Sequence, residues 1–380
     1  MTISVLVIFG GVALYGMERG VIEIFDLLRP EVDPHFLISQ TPRRLGLPLF
    51  DEIEKRKFNY SFLSDRKGWE RLAKPRSLSH LYKMLVGLLR GNLDALREVR
   101  RHDMLYVPNL FAAYYALLAM LFCRLTRRRV IYHFYDLYAC PSRQLRFVSF
   151  FVTDFVHNTS YGQEVVRKSN PFVEKATNWI VPLPIVRSGR AELSDDNTSF
   201  MGRGRHILFV GQVTLHKGVD VLLDAFSSLR RSHKDISLDI VGGCDDANLK
   251  RRINGGSNGD PGIRYWGYRD DVLSIMKIAD ILVPPSPSAT NESFGRVVTE
   301  AMSVGTPTVC FRSGALQEIV AHEETGLICE AETVESLAHN IERLLTDNQL
   351  RERCGRSALS RFEKFYGAEQ IKSRWLKVVN

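Results

Sequence analysis

The sequence predicts an α/β protein of two domains, each built on a parallel sheet. Three observations carry this. Apolar strands and amphipathic helices alternate through both halves, a pattern that places helices on both faces of a parallel sheet. The chain has 380 residues, more than one typical domain needs. A polar stretch at residues 188–204 follows the apolar run 180–184 and reads as a linker, dividing the chain into residues 1–187 and 188–365.

The elements follow in order. Residues 3–9 read as the first strand, followed by a glycine turn. They lack a basic leading segment and a cleavage site, so they do not read as a signal peptide. Residues 36–74 read as an irregular, Arg/Lys/Pro-rich insertion. Residues 77–96 mix Tyr82, Met84, Leu85, Leu88 and Leu89 with Lys83 and Arg90, as a core helix or an interfacial one does. Strands are expected at 104–107, 130–133 and 155–157. The run 110–123 is apolar but only 14 residues long, short of the roughly 20 that a membrane span needs. Its place after a strand marks it as a buried helix. In the second half, strands are expected at 207–210, 237–241, 263–266, 281–283, 308–311 and 327–329. Helices are expected at 219–230, 270–278, 294–304 and 315–321, with a last one near 366–379.

Charge is unevenly distributed. Residues 1–187 hold 27 Lys+Arg and 17 Asp+Glu, about +10, and the remainder holds 24 and 26, about −2. Basic runs stand at Arg43-Arg44, Lys55-Arg56-Lys57, Arg100-Arg101 and Arg127-Arg128-Arg129. Such a surface attracts phosphate-rich partners. No nucleic-acid module is visible, so the expected partner is an anionic membrane face. The six cysteines form no CxxC pair and no Cys/His cluster, which suits a reducing cytoplasm and argues against a zinc site. Asp245-Asp246 and Asp270-Asp271 read as loop or helix-start acids rather than metal ligands.

The most informative stretch is 284–305, PPSPSATNESFGRVVTEAMSVG. Glu292 and Glu300 stand there with seven residues between them. Glu292 ends a Pro/Ser loop after a strand, and Glu300 falls inside a helix expected to start near Ser293. Phe294, Val297, Val298, Ala301 and Met302 form the apolar face of that helix. Gly305-Thr306-Pro307 stops it. A strand, a polar loop and a helix N-terminus form a ready anion site. A carboxylate further in can accept hydrogen bonds from a ribose diol. Glu spacing of this kind is common on solvated helices, and the context is what raises it. Gly211 follows another strand, and Lys217 stands beside Gly218 at a helix start. A cation is unfavourable there unless an anion binds.

These segments resemble glycosyltransferase family 4, the retaining enzymes with the E-x7-E motif. Residues 206–226, HILFVGQVTLHKGVDVLLDAF, resemble the first strand, glycine loop and helix of the family's donor domain. Residues 313–320, SGALQEIV, resemble its last phosphate-facing loop. The resemblance covers most of 205–330. It implies the GT-B fold, two Rossmann-like domains facing an interdomain cleft, with the final helix (366–380) crossing back to the first domain. It implies Lys217 as the donor-phosphate lysine, Glu300 on the ribose and Glu292 at the transferred sugar. Backbone around Phe294-Gly295 and Gly314-Ala315-Leu316 would hold sugar or phosphate. The base would lie near Gly242 and the segment ending at Tyr268. From the first domain, Gly10, Gly11 and Gly16 resemble a glycine loop facing the donor. His133 resembles a sugar-contacting histidine, although a lone histidine at a strand end is more often structural. The chain departs from the pattern at Gln212, where the family usually has Arg, and Arg296 is the candidate replacement.

The implied chemistry is retaining transfer of a sugar from a UDP- or GDP-sugar to a membrane-linked glycan or lipid, in polysaccharide or glycolipid biosynthesis at the inner face of the membrane. No metal or other cofactor is expected. The alternatives are another GT-B enzyme, such as a sugar-nucleotide epimerase, or a non-catalytic glycan- or membrane-binding relative.

Overall fold

A computed structural model describes residues 2–9, 16–40, 48–64, 78–135, 137, 142–185, 205–254 and 261–380. The chain forms two compact units. One comprises residues 1–184 with 371–380, and the other residues 185–370.

The first unit is built on seven strands: β1 (Ile3–Phe9), β2 (Val32–Ile38), β3 (Asn59–Phe62), β4 (Met104–Val107), β5 (Arg129–Phe134), β6 (Asp154–His157) and β7 (Thr177–Ile180). All pair in parallel, in the order β3-β2-β1-β4-β5-β6-β7. Strands β2, β3 and β7 are additions to the sequence reading. Pro34 obscures β2, since proline removes a ladder donor. It is tolerated because β3 begins to pair only at His35, so Pro34 has β1 alone beside it. Polar Asn59 and Thr177 mark β3 and β7 as edge strands with weak apolar patterns. The supposed irregular insertion at 36–74 therefore contains the end of β2, a helix at Pro48–Lys55 and β3.

The helices of this unit are α1 (Gly16–Leu27), α2 (Pro48–Lys55), α3 (Leu78–Val99), α4 (Leu110–Tyr115), α5 (Leu117–Leu125), α6 (Ser142–Ser149) and α7 (Ser160–Ser169). The apolar run expected as one helix is two, α4 and α5, broken at Ala116. Buried Asn92 bridges the break: its Oδ1 accepts from Leu118 N at 3.0 Å and its Nδ2 donates to Tyr114 O at 2.8 Å. Backbone groups freed by the break thus keep partners. Ala95 and Val99 of α3 share one core with Ala112 and Ala113 of α4, Ala119, Met120 and Cys123 of α5, Leu145 and Val148 of α6, and Leu105, Tyr132 and Phe134 of the sheet. These four helices accordingly cover one face of the sheet.

The basic runs do not all reach solvent as charge. Arg56 is ion-paired with Asp26 and lies 3.1 Å from Glu52. Arg128 donates to the carbonyls of Val99 (2.8 Å), Arg100 (3.2 Å) and His102. Arg129 forms a two-point pair with buried Asp154 at 2.6 and 3.1 Å. Burial would raise the Asp154 carboxyl, but the bonds from Arg129, Trp179 and Thr153 hold it below the usual range. Within Arg127–Arg129, Arg127 is the exposed member. Arg43 and Arg44 lie outside the described residues.

The second unit carries β8 (Arg205–Val210), β9 (Ile236–Val241), β10 (Ile263–Gly267), β11 (Ile281–Leu282), β12 (Thr308–Cys310) and β13 (Gly326–Ile328). They too are all parallel, in the order β10-β9-β8-β11-β12-β13. The helices are α8 (Val219–Ser232), α9 (Ala247–Ile253), α10 (Val272–Ile278), α11 (Arg296–Ser303), α12 (Leu316–Ile319), α13 (Val334–Thr346) and α14 (Asn348–Phe365). Both acid pairs stand at helix starts. Asp246 caps α9 by accepting from the amides of Asn248 (2.8 Å) and Leu249 (3.0 Å), and Asp271 precedes α10 and pairs with Arg269.

The last helix, α15 (Ala368–Val379), contributes residues 371–379 to the first unit. Lys372 donates to Arg29 O at 3.1 Å and lies 2.9 Å from Glu31. Trp375 is buried against Tyr106 and His133, on the sheet face opposite the α3–α6 layer.

His133 is fully buried. The Asn158 amide Nδ2 donates to Phe134 O at 3.1 Å, so its Oδ1 faces His133 Nε2 at 2.8 Å and makes that nitrogen the proton carrier. His133 Nδ1 then accepts from the Tyr106 hydroxyl at 2.6 Å. Both ring nitrogens are spent internally, so the histidine expected at the sugar is here a core group. Burial drives its pKa down to about 3, and that of His157 down to about 4.

This burial has a pH consequence. Above the ordinary histidine value of 6.5 both rings are neutral, folded or unfolded. Below it the unfolded chain takes up protons that the folded rings refuse, so stability falls as pH drops toward about 4. Urea unfolding of the first unit, followed by tryptophan fluorescence, should show a lower midpoint at about pH 5 than at about pH 7.5. His133→Gln should lessen that slope; an unchanged slope would show that the His133 ring is not a source of it.

Candidate functional site

In the second unit every residue predicted to bind a donor follows the carboxyl end of a strand. Gly211 and Gln212 follow β8, Gly242 follows β9 and Tyr268 follows β10. The Glu292 loop follows β11, and Gly314-Ala315-Leu316 follow β12. Because the strands are parallel, these loops emerge at one edge. The strand order reverses between β8 and β11, the position where loops diverge and ligands settle in open α/β sheets.

Lys217, from the loop after β8, is ion-paired with Glu292, from the loop after β11. Ser286 Oγ also donates to Glu292 Oε1, at 3.0 Å. The carboxylate is thus oriented by two donors while remaining part-exposed, with 18% of its side chain accessible. Sequence reasoning missed Ser286 and the threonine that braces the same loop. Thr290 Oγ1 donates to His216 O at 2.6 Å, tying the two loops through backbone. Ser and Thr in a Pro-rich loop give no signal of which carbonyl or carboxylate they will meet.

Glycines let these loops approach. Gly218 has φ +70°, and a Cβ there would lie 2.0 Å from the Pro285 carbonyl oxygen. Gly314 has φ +51° and presses on the Glu292 backbone, where a Cβ would lie 2.3 Å from Glu292 O. Ala315 N then donates to that same carbonyl at 2.8 Å. The position of Glu292 is fixed from both sides by positions that only glycine fills without strain.

Helix α11 starts later than expected. Gly295 adopts φ +70° and breaks the chain direction, so the helix begins at Arg296. Phe294 is buried ahead of the helix, 6.4 Å in ring separation from Tyr366. Glu300 lies in the second turn and is 8% exposed. Arg296 Nε donates to its Oε1 at 3.0 Å, one turn back. Arg296, offered as the replacement for the cation missing at Gln212, is therefore held beside Glu300, and Gln212 is exposed.

The segment expected near a base is partly committed elsewhere. Arg264 grips Asp239 with two bonds of 2.7 Å, and Trp266 Nε1 donates to the same carboxylate at 2.8 Å. Burial works to raise the Asp239 carboxyl, and the bonds from His206, Arg264 and Trp266 overcome it and hold it low. Gly242, at φ +139°, packs on the Gly211 carbonyl and accepts from the Tyr265 hydroxyl at 2.9 Å. Tyr268 is 73% exposed at this edge. In the first unit, Gly16 opens α1, and a methyl group added there would meet no atom within 4 Å. Gly10 and Gly11 lie outside the described residues. Among the described residues, no group of three or more His, Cys, Asp or Glu is arranged to hold a metal ion.

The second unit also carries a family match. Residues 192–361 match the family model of glycosyl transferases group 1. The phosphatidyl-myo-inositol mannosyltransferase of Mycobacterium leprae is 33% identical over 174 residues, 44% of this chain and 45% of that protein. The D-inositol 3-phosphate glycosyltransferase of Paenarthrobacter aurescens is 33% identical over 166 residues, 42% of this chain and 40% of that one. The chain thus spans less than half the length of the curated relatives it matches. Anabaena HepE, solved in complex with UDP and glucose, superposes with a TM-score of 0.76 at 16% identity, over 99% of both chains. The fold is GT-B.

Two substitutions test the loop architecture. Gly218→Ala should destabilise the second unit by about 1–3 kcal/mol, from the left-handed backbone alone and before the Pro285 clash is added. Ser286→Ala, which removes one bond to Glu292, should cost only about 1 kcal/mol. Chemical denaturation of both variants checks the order; equal effects would mean that the loops part without cost.

Proposed function

We propose that the protein is a retaining glycosyltransferase of family 4 that takes its sugar from a UDP- or GDP-sugar. The observation that carries this reading is the Lys217–Glu292 pair at the point where the strand order reverses, with Glu300 one helix away. Lys217 supplies a point charge for the leaving diphosphate, and the amides around Gly295 and Gly314-Ala315-Leu316 add dipoles. Lys217 exchanges part of its bond to Glu292 for phosphate when donor binds. Glu292 Oε1 is taken by Lys217 and Ser286, so Oε2 is the atom that meets the hydroxyls of the transferred sugar. Glu300 accepts from the ribose diol, with Arg296 fixing its orientation. Gly211 and Gly242 give the nucleotide close access to the backbone.

The leaving phosphate assists deprotonation of the acceptor on the same face of the sugar, which gives retention. Lys217 and helix-end amides provide the charge that a metal would otherwise supply, so the reaction runs without one. HepE binds UDP and glucose, which supports a uridine donor on the same fold. The acceptor is a membrane-linked glycan or lipid, a reading supported by the charge of about +10 on residues 1–187. Its association with the membrane is peripheral, at the inner face. Among the described residues no helix is long and apolar enough to cross a membrane.

A thermal-shift panel of UDP, GDP, ADP and their sugars tests the donor site. One nucleotide should raise the midpoint of the wild type, and at about 100 times its Kd this is worth about 2.7 kcal/mol. Glu300→Ala should lose most of that shift while folding normally, and Lys217→Ala should weaken diphosphates more than nucleosides. No shift from any nucleotide would remove the reading. Transfer should survive excess chelator; complete loss there would overturn the account of the leaving group.

A further inference from the structure

The helical layer α3–α6 exposes apolar side chains in a pattern that the core does not explain. Among the described residues, ten large hydrophobic side chains are exposed, and eight lie on this layer or at its end: Tyr82, Leu85, Leu89, Leu93, Leu121, Leu125, Phe147 and Phe150. On α3 the first four follow spacings of three, four and four, a single stripe along one side of the helix. Leu121 and Leu125 form the same relation on α5. Phe147 lies in the last turn of α6, and Phe150 follows the helix.

These patches are joined. Helices α3 and α5 pack together, and Arg124 of α5 donates to Phe150 O at 2.6 Å with its guanidinium 4.0 Å over the Phe150 ring. Cations surround the apolar groups. Arg90, Arg97, Arg124, Arg127, Arg143 and Arg146 are all exposed. The acids of α3, Asp94 and Glu98, are each within 4 Å of an arginine, at 3.7 Å from Arg97 and 3.9 Å from Arg101. Residues 78–150 hold 11 Lys+Arg against 4 Asp+Glu, a balance of +7.

We propose that this outer layer is the surface by which the first unit lies on an anionic bilayer. The occupant follows from the chemistry. Five of the eight exposed groups are leucines, which gain from entering the acyl boundary and nothing from stacking on bases. Arginines beside them would keep their charge at the level of lipid phosphates, and Arg124, stacked on the exposed Phe150 ring, has that cation-on-apolar arrangement. The basic runs at residues 55–57 and 127–129, obvious in the sequence, contribute less, because Arg56, Arg128 and Arg129 are spent on internal bonds. The inference rests on the membrane part of the reading above and not on the transfer chemistry.

Sedimentation with vesicles tests it. The protein should bind vesicles of phosphatidylcholine with phosphatidylglycerol and not vesicles of phosphatidylcholine alone. Leu85→Ser with Leu89→Ser, and separately Arg143→Glu with Arg146→Glu, should each lower partitioning by more than about tenfold. Lys55→Glu with Lys57→Glu should change it less. Binding that ignores lipid charge, or variants that bind as wild type, would overturn the proposal. So would a concentration-dependent dimer in light scattering that Leu85→Ser with Leu89→Ser abolishes, since a second copy would then be the occupant. The nucleotide thermal shift of the same variants separates the two readings. A retained shift with lost vesicle binding supports this surface, and vesicle binding by a protein that answers to no nucleotide leaves the surface standing and removes the transferase.

Discussion

Parallel pairing governs this protein. When every strand of a sheet runs the same way, all its carboxyl ends lie on one edge, and so do the loops that follow them. In the second unit this brings together the loops at residues 211–218, 242–243, 283–295 and 311–315, which lie far apart along the chain. The strand order reverses between β8 and β11, and the loops that follow those two adjacent strands meet there. Lys217 and Glu292, 75 residues apart in sequence, meet there.

That meeting has an energetic logic. A lysine near a helix start faces the positive end of a dipole, and a carboxylate held between a buried loop and a glycine turn has lost part of its hydration. Each offsets the other in the absence of ligand. The pair holds two groups of opposite charge ready at a part-exposed edge, where an anionic ligand can take over one side of the bond. The glycines at 218, 295 and 314 keep the geometry, since each approaches a neighbour so closely that a side chain would collide.

The first unit divides its work between the faces of its sheet. One face carries the hydrogen-bonded chain Tyr106–His133–Asn158, with both His133 ring nitrogens bonded and the Trp375 ring packed against Tyr106 and His133. The other carries helices whose inner sides fill the core and whose outer sides are apolar and cationic. Hydrophobic side chains that find no core are the informative ones. Here they concentrate where exposed arginines are also concentrated.

Much of the protein was legible in its sequence. Alternating strand and helix patterns gave the class of fold, and apolar runs located ten of the thirteen strands among the described residues. Glu292, Glu300, Lys217 and the glycines could be singled out because residue type, spacing and flanking elements agreed. What the sequence could not decide was contact. Edge strands with polar residues and a strand containing Pro34 have weak local patterns, since a neighbouring strand supplies their hydrogen bonds. The later start of α11 depends on a left-handed Gly295 packed against Leu316. Whether an arginine is a surface charge or an internal clamp, and whether His133 faces a ligand or the core, depends on which carbonyls and carboxylates the fold brings near. Periodicity is a property of neighbours along the chain and can be read from it. Partnership belongs to groups distant in sequence, and only the tertiary structure assigns it.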